Sequence, residues 1–166
     1  SGQQRLPAAT ILTFELGATY DKQKRPAEAE AAFRQVIAAE PDHAAALNYL
    51  GYMLAERGER LDESVDLVKR ALKIEPDNGA YLDSLGWAYF KGGKLDLALE
   101  SLQKAATQLT RNSVIQDHYG DVLLKLERYD DAISAWSRAL NGDGDSIDRA
   151  DIDRKIRAAR QKLPKR

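Results

Sequence analysis

The sequence predicts an all-α protein made of four copies of one two-helix unit, followed by a single further helix. Three observations carry that prediction: evenly spaced glycines, residues that keep step with them, and an amphipathic C-terminal stretch that breaks the period. Gly17, Gly51, Gly86 and Gly120 stand 34, 35 and 34 residues apart. A period of that length means that one supersecondary unit has been copied. Leu16, Leu50, Leu85 and Tyr119 precede the four glycines, and Tyr20, Leu54, Tyr89 and Leu123 follow three residues later. Further on come the small residues Ala29, Ser64, Ala98 and Ala132, then the bulky Phe33, Val68, Leu102 and Trp136.

Within a unit, the first helix is read from the arc around the glycine. At about 100° per residue, Leu82, Leu85, Gly86 and Tyr89 share one face of a helix. Glycine costs roughly 1 kcal/mol relative to alanine inside a helix, so its recurrence there predicts close backbone contact with the partner helix. The small residues of the second helix permit the same approach. That second helix repeats the three-and-four spacing, as in Leu95, Leu99, Leu102 and Ala106, or Ala132, Ile133, Trp136 and Leu140. Short polar turns join the pair, at about residues 23–25, 58–60, 92–94 and 127–128. The one extra residue of the second copy falls in its turn, Arg57-Gly58-Glu59-Arg60, where loops absorb insertions. Pro41 and Pro76 stop the second helices of copies one and two. Asp42, and Asp77 or Asn78, then offer N-cap side chains for the next helix.

In chain order the elements are a tail at 1–9, helix pairs at 10–43, 44–78, 79–112 and 113–146, and a terminal helix with a basic tail at 147–166. The terminal helix carries Ile147, Ile152, Ile156 and Ala159 on one side. Asp145 or Ser146 would cap it, and Asp148 and Asp151 sit in its first turn, where the helix dipole favours anions. A stack of repeats leaves the apolar face of its last member open unless something covers it, so this helix is read as a cap. The front has no such lid. Ser1-Gly2 lacks an initiator methionine, and the expectation is that further repeats precede this segment in a longer protein.

The phrase Leu-Gly-x-x-Tyr, at Leu16, Gly17 and Tyr20 and again at Leu85, Gly86 and Tyr89, followed by Ala, Phe or Leu, Ala and Pro at these offsets, resembles the tetratricopeptide repeat. The resemblance covers about residues 10 to 146. Departures are Thr110 and Gly144 where proline is usual, and Leu54 and Ser64 where tyrosine and alanine are usual. The resemblance implies a right-handed superhelical solenoid in which the first helices line a concave surface. The stretches Asn48-Tyr49-Leu50-Gly51-Tyr52 and Asp83-Ser84-Leu85-Gly86-Trp87 are similar to the C-terminal repeats of long bacterial proteins of this family, some of them envelope-associated adaptors.

Composition agrees with an ordinary folded chain, at 43% hydrophobic and 31% charged. No apolar run approaches the roughly 18 residues of a membrane span, so membrane insertion is not expected. No cysteine is present, which excludes disulfides and thiolate metal sites without selecting a compartment. From 149 to 166 there are eight Lys or Arg against two Asp, while the rest of the chain is net acidic. Basic residues near a helix C-terminus suit its dipole, and with no aromatic after Trp136 a nucleic-acid role is not expected. Asn141-Gly142-Asp143-Gly144-Asp145 is not an EF-hand, since Ser146 and Ile152 stand where glycine and glutamate are required. It is read as a flexible turn. His43 and His118 lie in different copies with no second ligand at metal spacing. No nucleophile elbow, P-loop or dinucleotide fingerprint occurs. Neither catalysis nor a cofactor is expected.

Function is therefore sought on the surface. By the same helical arithmetic, the residues turned away from the core arc are Phe14, Ala18, Asn48, Tyr52, Asp83, Trp87, Asp117 and Asp121, then Lys22, Glu56, Lys91 and Lys125, with Tyr49 and His118 beside them. Aromatic residues are the usual anchors of binding surfaces, so Tyr52 and Trp87 are candidate anchors flanked by carboxylates. Packing of both against neighbouring helices is the other reading. Chaperone-cofactor members of the family grip a C-terminal carboxylate with Lys, Asn and Arg. Here Phe14, Ala18, Tyr49, Ala80 and Ser84 occupy those places, so that clamp is absent. The expected partner is a protein or peptide segment, apolar with basic residues. Self-association through the aromatic face or the uncapped front is the alternative.

Overall fold

The first helices of copies two to four begin at a side-chain N-cap, whereas the second helix of each pair starts from the turn without one. The computed structural model describes residues 5–144 and 146–164. Among them are α1 (Arg5–Lys22), α2 (Pro26–Ala39), α3 (Ala44–Arg57), α4 (Leu61–Ile74), α5 (Gly79–Lys91), α6 (Leu95–Gln108), α7 (Ser113–Lys125), α8 (Tyr129–Leu140) and α9 (Arg149–Arg160). The described residues hold no β-strand, only an isolated bridge between Asn112 and Asp143. None of their helices is long and apolar enough to cross a membrane. The architecture is an all-α helical repeat.

The turn inside each pair has one backbone device. Lys24, Gly58, Gly93 and Glu127 all stand seven residues after the repeat glycine and share a left-handed backbone, with φ of 59°, 64°, 73° and 58°. Glycine adopts it freely, whereas a residue with a Cβ is strained by about 1–2 kcal/mol. The extra residue of the second copy is absorbed here too: Arg60 adds a second left-handed position, at φ 45°, before α4 begins.

The chain divides into two compact units, Ser1–Asp77 and Asn78–Arg166. In the first, α1 packs on α2, α2 on α3, and α3 on α4. A Cβ built on Gly17 would meet the Phe33 ring at 2.9 Å. One on Gly51 would come within 2.5 Å of Val68 Cγ2 and 3.0 Å of the Ser64 carbonyl oxygen. The glycines are therefore points of close helix approach, and Ser64 Oγ donates to the Gly51 carbonyl across one of them at 2.5 Å. On the polar side, Glu30 accepts from Arg60 at 2.7 Å and pairs with Arg34 at 2.8 Å. These guanidinium partners, the Arg60 hydrogen bond first, hold the Glu30 carboxyl below the usual glutamate range. The N-cap of α3 is His43, whose Nδ1 accepts from the Ala46 amide at 3.1 Å, rather than Asp42. The cap comes one residue later than the sequence suggests because Asp42 lies in the turn before it.

In the second unit α5 packs on α6, α6 on α7, α7 on α8 and α8 on α9. A Cβ at Gly86 would lie 2.5 Å from Leu102 Cγ, and one at Gly120 would overlap the Trp136 ring. Asn78 and Asn112 cap α5 and α7. Gln116, almost fully buried, donates to the carbonyls of Ala106 and Thr110 and accepts from Arg138 Nε at 3.0 Å. The glycine-rich stretch after α8 is tied down: the Asp143 amide donates to the Arg111 carbonyl at 2.6 Å, and the two side chains pair at 2.8 Å. The Ser113 amide also donates to the Asp143 carbonyl, at 3.2 Å, so long-range contact places this turn beside the start of α7.

Helix α9 starts at Arg149 with Asp148 as its N-cap, accepting from the Asp151 amide at 3.0 Å. The sequence placed the start at 147 and the cap at Ser146 or Asp145; Asp145 lies outside the described residues. Ile152, Ile156 and Ala159 are buried against Trp136, Ala132, Ala135 and Ala139 of α8. At about 1.5–3 kcal/mol for each fully buried large aliphatic side chain, this contact is enough to hold a twelve-residue helix that alone would be marginal.

Candidate functional site

The first helices of each pair carry the residues expected to recognise a partner, and the two units present them differently. In the first unit Phe14, half-buried on α1, is the hub of an aromatic cluster. Its ring centroid lies 5.7 Å from Phe33, 5.1 Å from His43 and 5.5 Å from Tyr49, the last edge-on at 88°. Tyr49 also stacks on Phe33 at 5.3 Å and remains 40% exposed. Beside it Asn48 is half-buried, and its Oδ1 has no hydrogen-bond partner among the described residues. A buried carbonyl oxygen in that state is unusual. Tyr52, one helical turn further along α3, is half-buried and lines a cleft of about 400 Å³ with Asp21, Lys24, Met53, Glu56 and Arg57. The cleft walls thus mix both charge signs around one aromatic ring.

In the second unit Trp87 is packed, not open: it keeps 8% exposure and is sandwiched in an aromatic stack. Its ring lies 3.9 Å from the His118 imidazole at 14° and 4.9 Å from Phe90 at 17°. Lys91 Nζ stands 5.3 Å over the indole, within cation–π range. Asp83, buried on α5, faces His118 with Oδ1 2.9 Å from Nδ1. A carboxylate only accepts, so Nδ1 carries the proton in this pair. The reading of Trp87 as packed therefore holds, and the reason is His118, whose flat ring arrives from the next repeat and covers it.

Asp117 and Asp121, one turn apart on α7, are joined by a residue that the groove arithmetic did not include. Lys155 of α9 donates to Asp117 Oδ1 at 3.0 Å and Asp121 Oδ1 at 2.7 Å, with Asp151 Oδ2 3.4 Å away. Its Nζ also lies 5.7 Å from the Trp136 ring centroid. One ammonium serves both Asp117 and Asp121 in a half-buried place, while Asp151 is shared between Lys155 and Arg154. Burial raises the Asp121 carboxyl above the usual aspartate range, and Lys155 offsets only part of it. Burial pulls the Lys155 ammonium down, but Asp121 and Asp117 outweigh it and leave it above the ordinary lysine value. The signal for Lys155 was present in the sequence: it borders the apolar stripe, three residues after Ile152 and one before Ile156. A helix packed by that stripe must point its flank at α7.

The structure thus brings Phe14 and Tyr49 together in one unit, and Asp83, Trp87 and Lys91 with His118 in the other. Asp117 and Asp121 meet through Lys155.

Comparison with known proteins matches residues 14–79 and 59–113 to the family model described as tetratricopeptide repeat. The chain is 37% identical over 120 residues to TPR repeat-containing protein PA4667 of Pseudomonas aeruginosa. That match covers 72% of this chain and 20% of the relative, so the chain spans about a fifth of that protein's length. Among solved structures it is similar to MamA MSR-1, with a TM-score of 0.69 and 25% identity over 93% of this chain and 86% of that one. It also shares its fold with the Sgt2 TPR domain from Aspergillus fumigatus, with a TM-score of 0.64 and 23% identity over 72% of this chain and 78% of that one.

Proposed function

The chain belongs to the tetratricopeptide repeat family, and from that premise we propose that its first-helix surfaces hold a segment of another protein, apolar with basic residues. A protein–protein interaction scaffold is what the family and fold support in general. The finer reading, for the second unit, rests on one observation: two carboxylates, Asp117 and Asp121, share the single ammonium of Lys155, while Asp151 beside them pairs with Arg154 as well. A surface left with excess negative charge attracts a cationic side chain and speeds its arrival. Asp83 with Trp87 supplies the rigid floor, and Lys91 its rim. In the first unit Phe14 and Tyr49 offer an aromatic surface, Asn48 an unsatisfied carbonyl, and Tyr52 a cleft. The protein acts by holding its partner, with no catalysis of its own.

Selection of displayed random peptides on the whole chain tests this. Retained peptides should combine apolar residues with Lys or Arg, and selection on an Asp117→Asn/Asp121→Asn variant should lose the basic preference. Enrichment of acidic peptides, or an unchanged basic preference in the variant, would refute the reading.

A further inference from the structure

Helix α9 packs on α8 as α7 packs on α6, so it takes the place that the first helix of a further copy would hold. The register agrees. Asp151 and Lys155 stand 34 residues after Asp117 and Asp121, one repeat length further on. Ile156 stands 34 after Val122, and both of those side chains are buried. Lys155 therefore arrives at a first-helix surface position. The apolar stripe of α9 holds the helix on α8, so the Lys155 side chain is free to move without the helix leaving.

Its ammonium fills a site of definite shape. Asp117 and Asp121 each contribute one oxygen, at 3.0 and 2.7 Å, and the Trp136 ring centroid lies 5.7 Å from Nζ. Two single oxygens from separate side chains suit a compact ammonium, whose three N–H groups diverge. A guanidinium is a planar fork, strongest against both oxygens of one carboxylate. The acid pair also needs a cation, because carboxylates four residues apart on a helix repel each other. Partial burial makes an uncompensated charge costlier still. The site is open enough for exchange, since the side chains of Lys155, Asp117 and Asp121 keep 21%, 21% and 20% exposure. Lys155 has a further carboxylate on its own helix, Asp151 Oδ2 at 3.4 Å. Moving toward it frees the acid pair without stranding the ammonium.

We propose that Asp117 and Asp121 form a lysine-selective subsite, that Lys155 fills it as a built-in competitor, and that a lysine of the partner segment takes it over while Lys155 withdraws to Asp151. The proposal rests on the reading of the first-helix surfaces as the recognition site, and it narrows the partner's basic residue to lysine. Helix α9 is then part of the recognition surface as well as the cover of α8. Its hold on the acid pair lowers the apparent affinity of every partner by the fraction of time that Lys155 occupies the site.

The test is a nuclear magnetic resonance titration of the isotope-labelled whole chain, wild type and Lys155→Gln, with the pentapeptide acetyl-Leu-Ala-Lys-Ala-Leu-amide and its arginine and norleucine counterparts. The lysine peptide should shift the Asp117 and Asp121 carboxyl resonances saturably and bind Lys155→Gln at least about tenfold more tightly than wild type, because the competitor is gone. The arginine peptide should bind more weakly, and the norleucine peptide should leave those resonances unmoved. In wild type the Lys155 side-chain signals should move as the lysine peptide saturates, a readout that needs no variant; circular dichroism checks that Lys155→Gln is folded. Equal affinity for wild type and Lys155→Gln, preference for arginine, no binding at millimolar lysine peptide, or Lys155 signals unmoved at saturation overturns the proposal. Selected peptides that lose their basic preference on the Asp117→Asn/Asp121→Asn variant, with no gain in Lys155→Gln, would remove the competitor and leave the recognition reading standing. A gain for the lysine peptide with no basic preference among selected peptides would do the reverse.

Discussion

Replacing Gly86 with alanine sets two opposed effects against each other at one atom. In an exposed helix the change stabilises by about 1 kcal/mol, because alanine loses less backbone freedom on folding. At Gly86 the new Cβ would sit 2.5 Å from Leu102 Cγ, 3.1 Å from the Leu102 amide nitrogen and 3.2 Å from the Ala98 carbonyl oxygen. Two of those three atoms are backbone, so rotating a side chain cannot relieve the overlap and α5 must move away from α6. Overpacking of that kind costs about 1–3 kcal/mol. The rigid obstacle places it toward the upper end, for a net loss of about 1–2 kcal/mol. Gly86→Leu adds more atoms at the same contact and should lose about 3 kcal/mol or more. Gly17→Ala is the internal comparison: the three atoms nearest its new Cβ are all side-chain atoms of Phe33, the first at 2.9 Å, and none is backbone, so its loss should be smaller. Urea unfolding followed by circular dichroism and by tryptophan fluorescence measures all three. If Gly86→Ala proves about 1 kcal/mol more stable than wild type, the helix-contact argument is wrong and the glycine is there for another reason.

Deleting residues 147–166 should uncover Trp136 and Ile133 on α8, lowering the unfolding midpoint and increasing aggregation in size-exclusion chromatography; an equally soluble, equally stable truncation would show that α9 is not a cap. Trp87→Ala should cost about 3–5 kcal/mol of stability, since the ring is 8% exposed in its stack. A fully stable Trp87→Ala would refute the packed reading, and its partner binding would then have to be measured. Because the folded-state pKa of Glu30 is depressed, its stabilisation is complete above the usual glutamate value of 4.5 and drains away as pH falls through the folded value. Glu30→Gln should therefore flatten the stability of the first unit against pH below that value, and an unchanged acid slope in urea titrations would assign the slope to other groups. Lys155→Met leaves Asp117 and Asp121 without their shared cation, so stability should fall at neutral pH by about 1–3 kcal/mol and partly recover as the carboxylates protonate; no change on thermal melting would show the pairing to be energetically idle.

The helix pairs, their turns and the glycine contacts were legible in the sequence because each depends on residues close together along the chain. Spacing of 34 or 35 residues, an apolar arc around each glycine and one inserted turn residue state a local geometry that the rest of the protein only repeats. The capping role of α9 was legible for the same reason, through its apolar stripe. What partners each polar or aromatic residue finds was not, because that depends on side chains brought together across repeats. Trp87 is covered by His118 from the next first helix, and Asp117 with Asp121 is served by Lys155, more than thirty residues further on. His43 caps α3 although Asp42 is the commoner capping residue type, since the backbone turn decides which side chain reaches the free amide. Residue arithmetic places a side chain on a face of its own helix; only the packed neighbours decide whether that face is a surface.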